Sequence, residues 1–407
     1  MPSATECDVL IIGAGVGGAA LTLALAVQFP LRVLAVDRRS GPGNINRGDS
    51  LLPAVTRHLR TWGALPSFYA AGARSVAKMQ VFHPTSGLLF EGSLSPTLDD
   101  EAAPYLVLPH PAIERALVER ARATGRAEVY YNQRVIRLIS EDSGGLPRIV
   151  GAVVQTEDGE KEIHARVVVG ADGATSTVRS GLRIDLDLIP YDHGFYIAEM
   201  ERPKNYEDAM RIELHPDGNI LVVPQGPDRV GIGVLVRNAE QTLFRAGSQI
   251  AKFEAIGRRS QLLAGLQPFT KGAHLYSLSR GHAKRYVAAG AALIGDAVHI
   301  TNPTAGQGMT MAIEDAASLA MHLGPPIAAS ASPSLVDERL LAYQRDRWPK
   351  NESQIRWSHW LSRFYALPGS TGHAIHHHVF RIGSSPLGRL IQNQIWLRMA
   401  TRPRRDA

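Results

Sequence analysis

Apolar and polar positions along this chain follow two rhythms, and their order outlines the fold. Cys7-Asp8-Val9-Leu10-Ile11-Ile12 reads as a buried parallel strand, and Ala19 to Val27 is an Ala/Leu-rich helical run just behind a glycine cluster. Leu31 to Val36 is a second strand, so residues 1–40 predict β-α-β. Helical spacing returns at Pro53 to Trp62 and over 111–124, where Ile113, Leu117, Val118 and Ala121 share a face. Residues 76–109 alternate instead, as in Met79-Gln80-Val81-Phe82 and Leu88-Leu89-Phe90, and predict antiparallel strands. Val129 to Leu138 and Ile149 to Gln155 read as strands, with Asp158-Gly159 a tight turn into Glu160 to Val169. From Tyr191 to Arg237 the pattern is antiparallel again, with a second hairpin signal at Asp217-Gly218. The chain then returns to α/β, with a strand at Ala291 to Ile294 and a helix from about Gln307 to His322. Tyr343 onward reads mostly as helix.

An α/β fold interrupted by antiparallel segments, then resumed, builds a second layer over whatever the first layer holds. The expected fold class is a Rossmann-like α/β domain with an interposed antiparallel-sheet domain and a helical C-terminus. The first domain takes residues 1–75, 110–182 and 280–330, the second takes 76–109 and 183–279, and the helical region covers 331–407. A substrate cavity belongs between the layers.

Composition narrows the class. With 407 residues, 44% hydrophobic and 20% charged, the chain reads as a globular enzyme with a sizeable core. No apolar run is long enough to span a membrane, and no secretory leader pattern precedes the first strand. The single cysteine, Cys7, excludes an intramolecular disulfide and a redox-active dithiol, so a reducing, cytoplasmic setting is expected. Net charge is +6, densest at Arg398, Arg402, Arg404 and Arg405. Without basic–aromatic interleaving it predicts no nucleic-acid partner; anionic substrates or peripheral membrane contact are compatible with it.

Three motifs carry chemistry. Gly13-Ala14-Gly15-Val16-Gly17-Gly18 lies between the first strand and helix. Gly13 permits a tight turn, Gly15 lets backbone approach a pyrophosphate, and Gly18 allows close helix–strand packing. The helix then offers free N–H groups and roughly half a positive charge to phosphates. Asp37 ends the second strand, 19 residues after Gly18, where a carboxylate suits a ribose hydroxyl and disfavours a 2′-phosphate. This motif alone does not separate FAD from NAD. The second motif runs from Gly170-Ala171-Asp172-Gly173 to Arg179, with Asp172 placed to accept from backbone N–H groups and Arg179 to balance it. The third is Gly295-Asp296-Ala297 followed by Asn302-Pro303-Thr304-Ala305-Gly306-Gln307-Gly308-Met309-Thr310. Asp296 falls at a strand's carboxyl end, suited to a ribityl hydroxyl, and Gly306 and Gly308 leave room for backbone against a flat ring. The helix after them aims its positive end at that ring.

In this order, the motifs resemble the single-component FAD-dependent aromatic hydroxylases, the p-hydroxybenzoate hydroxylase family. The resemblance implies that Gly13, Gly15 and Gly18, with Val16, hold the FAD pyrophosphate, and that Asp37, with Arg38 beside it, meets the adenosine. Asp172 and Arg179 match the motif used for FAD and NAD(P)H. Asp296 would meet the ribityl chain or pyrophosphate, and Gly306, Gln307, Gly308 and Met309 the isoalloxazine. Arg47 matches a flavin-contacting arginine, and Val135 a strand residue whose backbone meets adenine. His110 stands where the family usually has Arg or Gln, and Thr310 where it often has Asn.

The activity implied is an NAD(P)H-consuming monooxygenase. It would hydroxylate or epoxidise an electron-rich aromatic or other hydrophobic small molecule with dioxygen, through a flavin C4a-hydroperoxide. NADPH or NADH would bind transiently, because no second nucleotide fingerprint appears. Substrate-cavity candidates are Met79, Phe82, Phe90, Phe195, Tyr196, Glu199, Arg211 and Glu213; no general base is assigned. A geranylgeranyl-reductase-like enzyme and a flavin-dependent halogenase are the alternatives, although the Trp-x-Trp-x-Ile-Pro segment of the halogenases is absent. A non-catalytic flavin-binding protein is a further alternative, and a monomer or homodimer is expected. His373, His376, His377 and His378 read as an exposed helical run rather than a metal site.

Overall fold

The computed structural model describes residues 5–43, 50–94, 103–142, 147–268, 273–385 and 388. The strand Thr5–Ile12 is central to a parallel sheet, flanked by Val33–Val36 on one side and Gly159–Gly170 on the other. Ala127–Tyr130 extends the first side and Ala291–Leu293 the second, both parallel. Their apolar residues are buried on both faces, as a helix-covered parallel sheet requires. The helices Val16–Gln28, His110–Arg122 and Gln307–Ala328 pack around the sheet. Arg134–Glu141 and Arg148–Thr156 add an antiparallel annex to Gly159–Gly170.

One sequence expectation is corrected here. Val129 to Leu138 is two strands, because Asn132 takes a left-handed conformation with φ 57° and turns the chain out of the parallel sheet.

The second sheet holds, in order, His299–Ile300, His274–His282, Ile189–Glu201, Arg229–Arg237, Ile220–Pro224, Ala209–Glu213, Lys78–His83 and Gly87–Ser93. All neighbours are antiparallel except Ala209–Glu213 beside Lys78–His83. One face buries Tyr196, Ala198, Val222, Ile232 and Val234 under Phe244 and Ile256 of two short helices. The other presents Met79, Met210, Leu221 and Val223 to Leu52, Leu94, Tyr105 and Val107. A small sheet of Ser50–Leu51, Leu106–Val107 and Arg74–Ser75 lies between the layers. The C-terminal helices are longer than their periodicity suggests, at Pro333–Tyr365 and Gly369–Gly383.

Candidate functional site

At the glycine loop, backbone geometry is the first constraint. Gly13 sits at φ 102°, and a Cβ there would lie 2.4 Å from the Ala171 carbonyl oxygen. A Cβ on Gly18 would lie 1.8 Å from the Gly13 carbonyl oxygen, so both positions exclude any side chain. Gly15, by contrast, has among the described residues only side-chain atoms of Glu114 and Arg39 near its Cβ position, at 3.7 and 3.9 Å. It caps the helix Val16–Gln28 with no side-chain hydrogen bond, leaving the first-turn N–H groups without a side-chain cap among the described residues. Val16 is buried in the helix's first turn.

Asp37 holds this loop from the next strand. Its Oδ2 accepts from Ala14 N at 2.8 Å and Arg39 Nη2 at 2.9 Å, and its Oδ1 from Arg39 N and Nε. Burial raises its pKa, but the Arg39 bonds and the Ala14 N–H outweigh this and hold it below the usual range. Both oxygens are therefore committed to loop and arginine, and a ribose hydroxyl would have to share them with Arg39. Arg39 also pairs with Glu114, which accepts from Gly43 N and lies 3.3 Å from His110 Nε2. The other ring nitrogen of His110 is buried without a partner among the described residues. Arg38 is exposed and lines a polar cavity of about 420 Å³ with Asn132, Arg134, Gln155, Thr156 and Glu157. Val135 is buried next to it, opposite Val154. Arg47 lies outside the described residues.

The second motif departs from its expected pairing. Asp172 accepts from Ser176 Oγ and from the backbone N–H groups of Thr177 and Val178, so it braces its own turn. Arg179 does not balance it; the guanidinium donates to the carbonyls of Ala174 and Ala297, 2.8 and 2.9 Å away. Arg179 thereby ties the second motif to the third.

In the third motif Gly295 has φ 61° and Asp296 is exposed beside it. Gly306, at φ 63°, caps the helix Gln307–Ala328 with no side-chain bond. Among the described residues the Gly308 Cβ position has only a Thr301 methyl nearby at 3.9 Å, and Met309 packs partly buried against the main core. Thr310 turns its hydroxyl back to the Gly306 carbonyl. Three buried atoms converge here without a partner among the described residues: Thr301 Oγ1, Asn302 Nδ2 and Gln307 Oε1. Leaving them unpaired costs roughly 1–3 kcal/mol each, so a polar ligand edge is the natural complement. Two uncapped helix N-termini, unpartnered polar atoms and glycines that keep side chains away together fit a dinucleotide carrying a flat polar ring.

Beneath this loop lies a network the sequence did not reveal. Asp315, fully buried, accepts from Gly295 N, His299 Nε2, Arg347 Nε and Asn351 Nδ2. Burial raises its pKa, yet His299 and Arg347 more than reverse that and keep it ionised. Arg347 continues to Glu314, and Asn351 to Tyr286, whose hydroxyl meets His282. The helix Pro333–Tyr365 thus braces the third motif. The available signal was a charged Glu314-Asp315 pair inside an otherwise apolar helical run.

Strand register divides the cavity candidates between two faces. Met79, Phe195 and Glu199 alternate onto one face with Met210, Leu221 and Val223. Phe82, Tyr196, Arg211 and Glu213 lie on the reverse. Tyr196 packs there against Phe244, and the Arg211 guanidinium lies 3.4 Å from the Phe82 ring centre. Phe90 joins Phe380 of the last helix in a separate cluster. The histidine run also differs from expectation: His376 is buried and bonds to the Phe364 carbonyl, while His373 and His377 pack against His83.

A family model described as an FAD binding domain matches residues 6–358. The chain is 27% identical to a rifampicin monooxygenase of Streptomyces venezuelae over 84% of this chain and 68% of that protein. It is also 27% identical to 3-hydroxybenzoate 6-hydroxylase 1 of Aquipseudomonas alcaligenes, over 88% of this chain and 89% of that one. Among solved structures, pqsL of Pseudomonas aeruginosa, a probable FAD-dependent monooxygenase, superposes with a TM-score of 0.76 and 26% identity, covering 89% of this chain and 97% of that one. The glycine cradle and the match across most of the chain agree: it belongs to the FAD binding domain family and is an FAD-dependent monooxygenase.

Proposed function

We propose that the chain hydroxylates or epoxidises an electron-rich aromatic or other hydrophobic small molecule, with NADH or NADPH binding transiently. The observation that carries this reading is the meeting, among the described residues, of two helix N-termini without side-chain caps and three polar atoms without partners beside an apolar sheet face. Residues 1–75, 110–182 and 280–330 hold FAD and 76–109 and 183–279 the substrate, and in the C-terminal region, 331–407, the helix Pro333–Tyr365 acts as a brace. Gly13, Gly15, Val16 and Gly18 take the pyrophosphate; Asp37, Arg38 and Val135 border the adenosine. Asp172, Arg179 and Asp296 support the pyrophosphate and ribityl region, while Arg47, His110 and Gly306 to Met309 border the ring. The names of the relatives, from hydroxybenzoate to rifampicin, support an aromatic substrate class.

When bound, FAD supplies acceptance of hydride from the nicotinamide and activation of dioxygen for transfer of one oxygen atom. The protein positions the ring, excludes water and stabilises charge. The positive end of the helix Gln307–Ala328 contributes at most about 2 kcal/mol toward an anionic ring. The thiol of Cys7, pushed up to about 12 by burial and then Asp8, takes no part, and a cytoplasmic monomer or homodimer fits this reading.

The test is stopped-flow flavin reduction by NADH and NADPH, with and without a panel of phenols, quinolones and polyketide aromatics. Products are weighed after reaction under labelled dioxygen. A true substrate should accelerate reduction and gain one labelled oxygen. A 100-fold acceleration requires about 2.7 kcal/mol of differential binding between the two flavin arrangements. Equal reduction rates and unlabelled products across the panel would favour a reductase.

A further inference from the structure

Among the described residues, the outer face of the second half of the long helix Pro333–Tyr365 is exposed. At about 100° per residue, Arg356, Trp357, Trp360 and Arg363 fall within roughly 120° of one another, and all four are exposed. Trp360 is 67% exposed, extreme for the largest apolar side chain. Beside it, Leu188 and Ile189 are 47% and 51% exposed at the start of a strand. Between helix and strand lies a cavity of about 270 Å³ lined by Ile189, Pro190, Tyr191, Asp192, Arg280, His359 and Arg363. Arg280 is the register partner of Ile189, so a cation and an exposed apolar residue stand side by side. Two arginines and a histidine face a single lining carboxylate, Asp192, which is 3.5 Å from Arg363. The His359 ring is held below its ordinary range by burial and then by Arg280 and Arg363.

We propose that this face docks on an anionic phospholipid membrane. Arg280 and Arg363 would receive a lipid phosphate in the cavity, and Trp357, Trp360, Leu188 and Ile189 would enter the headgroup boundary. Exposed tryptophans beside arginines match that environment, where one end of the ring is apolar and the other wet. The charge on the cavity complements a phosphate and selects a membrane over an apolar protein groove. No helix among the described residues is long and apolar enough to cross a bilayer, so the contact is peripheral. The proposal does not depend on the aromatic substrate.

Flotation of the full, FAD-loaded chain tests it, with vesicles of phosphatidylcholine alone and of phosphatidylcholine and phosphatidylglycerol in equal parts. The protein should float with the anionic vesicles only, and tryptophan emission should shift to the blue on binding. Arg280→Gln with Arg363→Gln should weaken partitioning about 25-fold, about five-fold per arginine. Trp357→Ser with Trp360→Ser should abolish the emission shift and the flotation. FAD content and substrate-stimulated NAD(P)H oxidation should stay at wild-type values in both variants, which separates this result from the catalytic reading. Flotation of either double variant at wild-type level would overturn the proposal. So would equal flotation with both vesicle types, flotation with neither, or self-association in sedimentation that the tryptophan substitutions remove.

Discussion

The cradle under the glycine loop and the antiparallel sheet beside it handle buried charge in opposite ways. On the cradle side Asp37, Glu114 and Asp315 are buried anions, and partners hold all three pKa values below the ordinary range despite burial: Arg39 for Asp37, His110 and then the Gly43 N–H and Arg39 for Glu114, His299 and then Arg347 for Asp315. On the antiparallel side and its covering helices His193 and His376 are buried and His282 is half-buried, and burial lowers all three so that the neutral ring is favoured. The cradle is a fixed electrostatic frame, built for a cofactor that does not vary. The antiparallel half relies more on packing and neutral rings, its buried charge being confined to local pairs such as Arg259 with Glu240 and Arg211 with Glu213.

The largest expected effect is on the frame. Asp315→Ala removes the acceptor for Arg347 and His299 and should destabilise the protein by about 3–5 kcal/mol in urea unfolding. A loss under about 1 kcal/mol would mean the network is ornamental. Adjacent residues on one strand sharpen the other half. Tyr196→Ala should cost about 3–5 kcal/mol, because Tyr196 fills the core beside Phe244. Phe195→Ala, on the reverse face, should leave stability nearly intact and instead raise the substrate KM and the fraction of NAD(P)H oxidised without product. If the two variants exchange phenotypes, the assignment of the substrate face is inverted. Gly18→Ala should cost roughly 1–3 kcal/mol by overpacking against Gly13 and yield colourless protein, as absorbance of the purified chain would reveal.

The smallest effect separates the two halves by pH. A histidine with a lowered folded pKa binds its proton more readily when unfolded. Its contribution is therefore fully present above about 6.5 and is lost as pH falls through the folded pKa. The three carboxylates contribute fully above about 4, and their share fades only in stronger acid. Between about pH 7 and 5 the melting temperature should fall, with hydrogen exchange rising first in the antiparallel sheet and the last helix. Loss of protection starting in the strand Thr5–Ile12 would contradict this division.

What was legible in the sequence follows from the same contrast. The β-α-β opening could be read because Val9 to Ile12 and the glycines after them specify local geometry. The three motifs pointed to one site because each carries its own turn. The break at Tyr131 to Gln133 escaped notice because nothing local shows that Asn132 turns left-handed. The Asp315 network escaped because its partners His299, Arg347 and Asn351 come from separate segments. The division of the cavity candidates between two faces, with Tyr196 and Arg211 opposite Met79 and Phe195, escaped because alternation fixes two faces but not which of them a given strand turns inward. Asp37 was located, but its saturation by Ala14 and Arg39 depends on a side-chain geometry that sequence spacing does not contain.

The order of strands in the parallel sheet also sets a schedule. Thr5–Ile12 pairs with Gly159–Gly170, which pairs with Ala291–Leu293, and the brace from Arg347 comes later still. At about 5–20 residues per second on a ribosome, the first strand waits roughly twenty seconds to a minute before the last of these partners is synthesised. Such long-range pairing is slow to form and leaves the edge of Thr5–Ile12 that faces Gly159–Gly170 unpaired in the meantime. Capture of the cofactor is then a late event in the life of the nascent chain, and the glycine loop, though first to be made, is among the last parts to become functional.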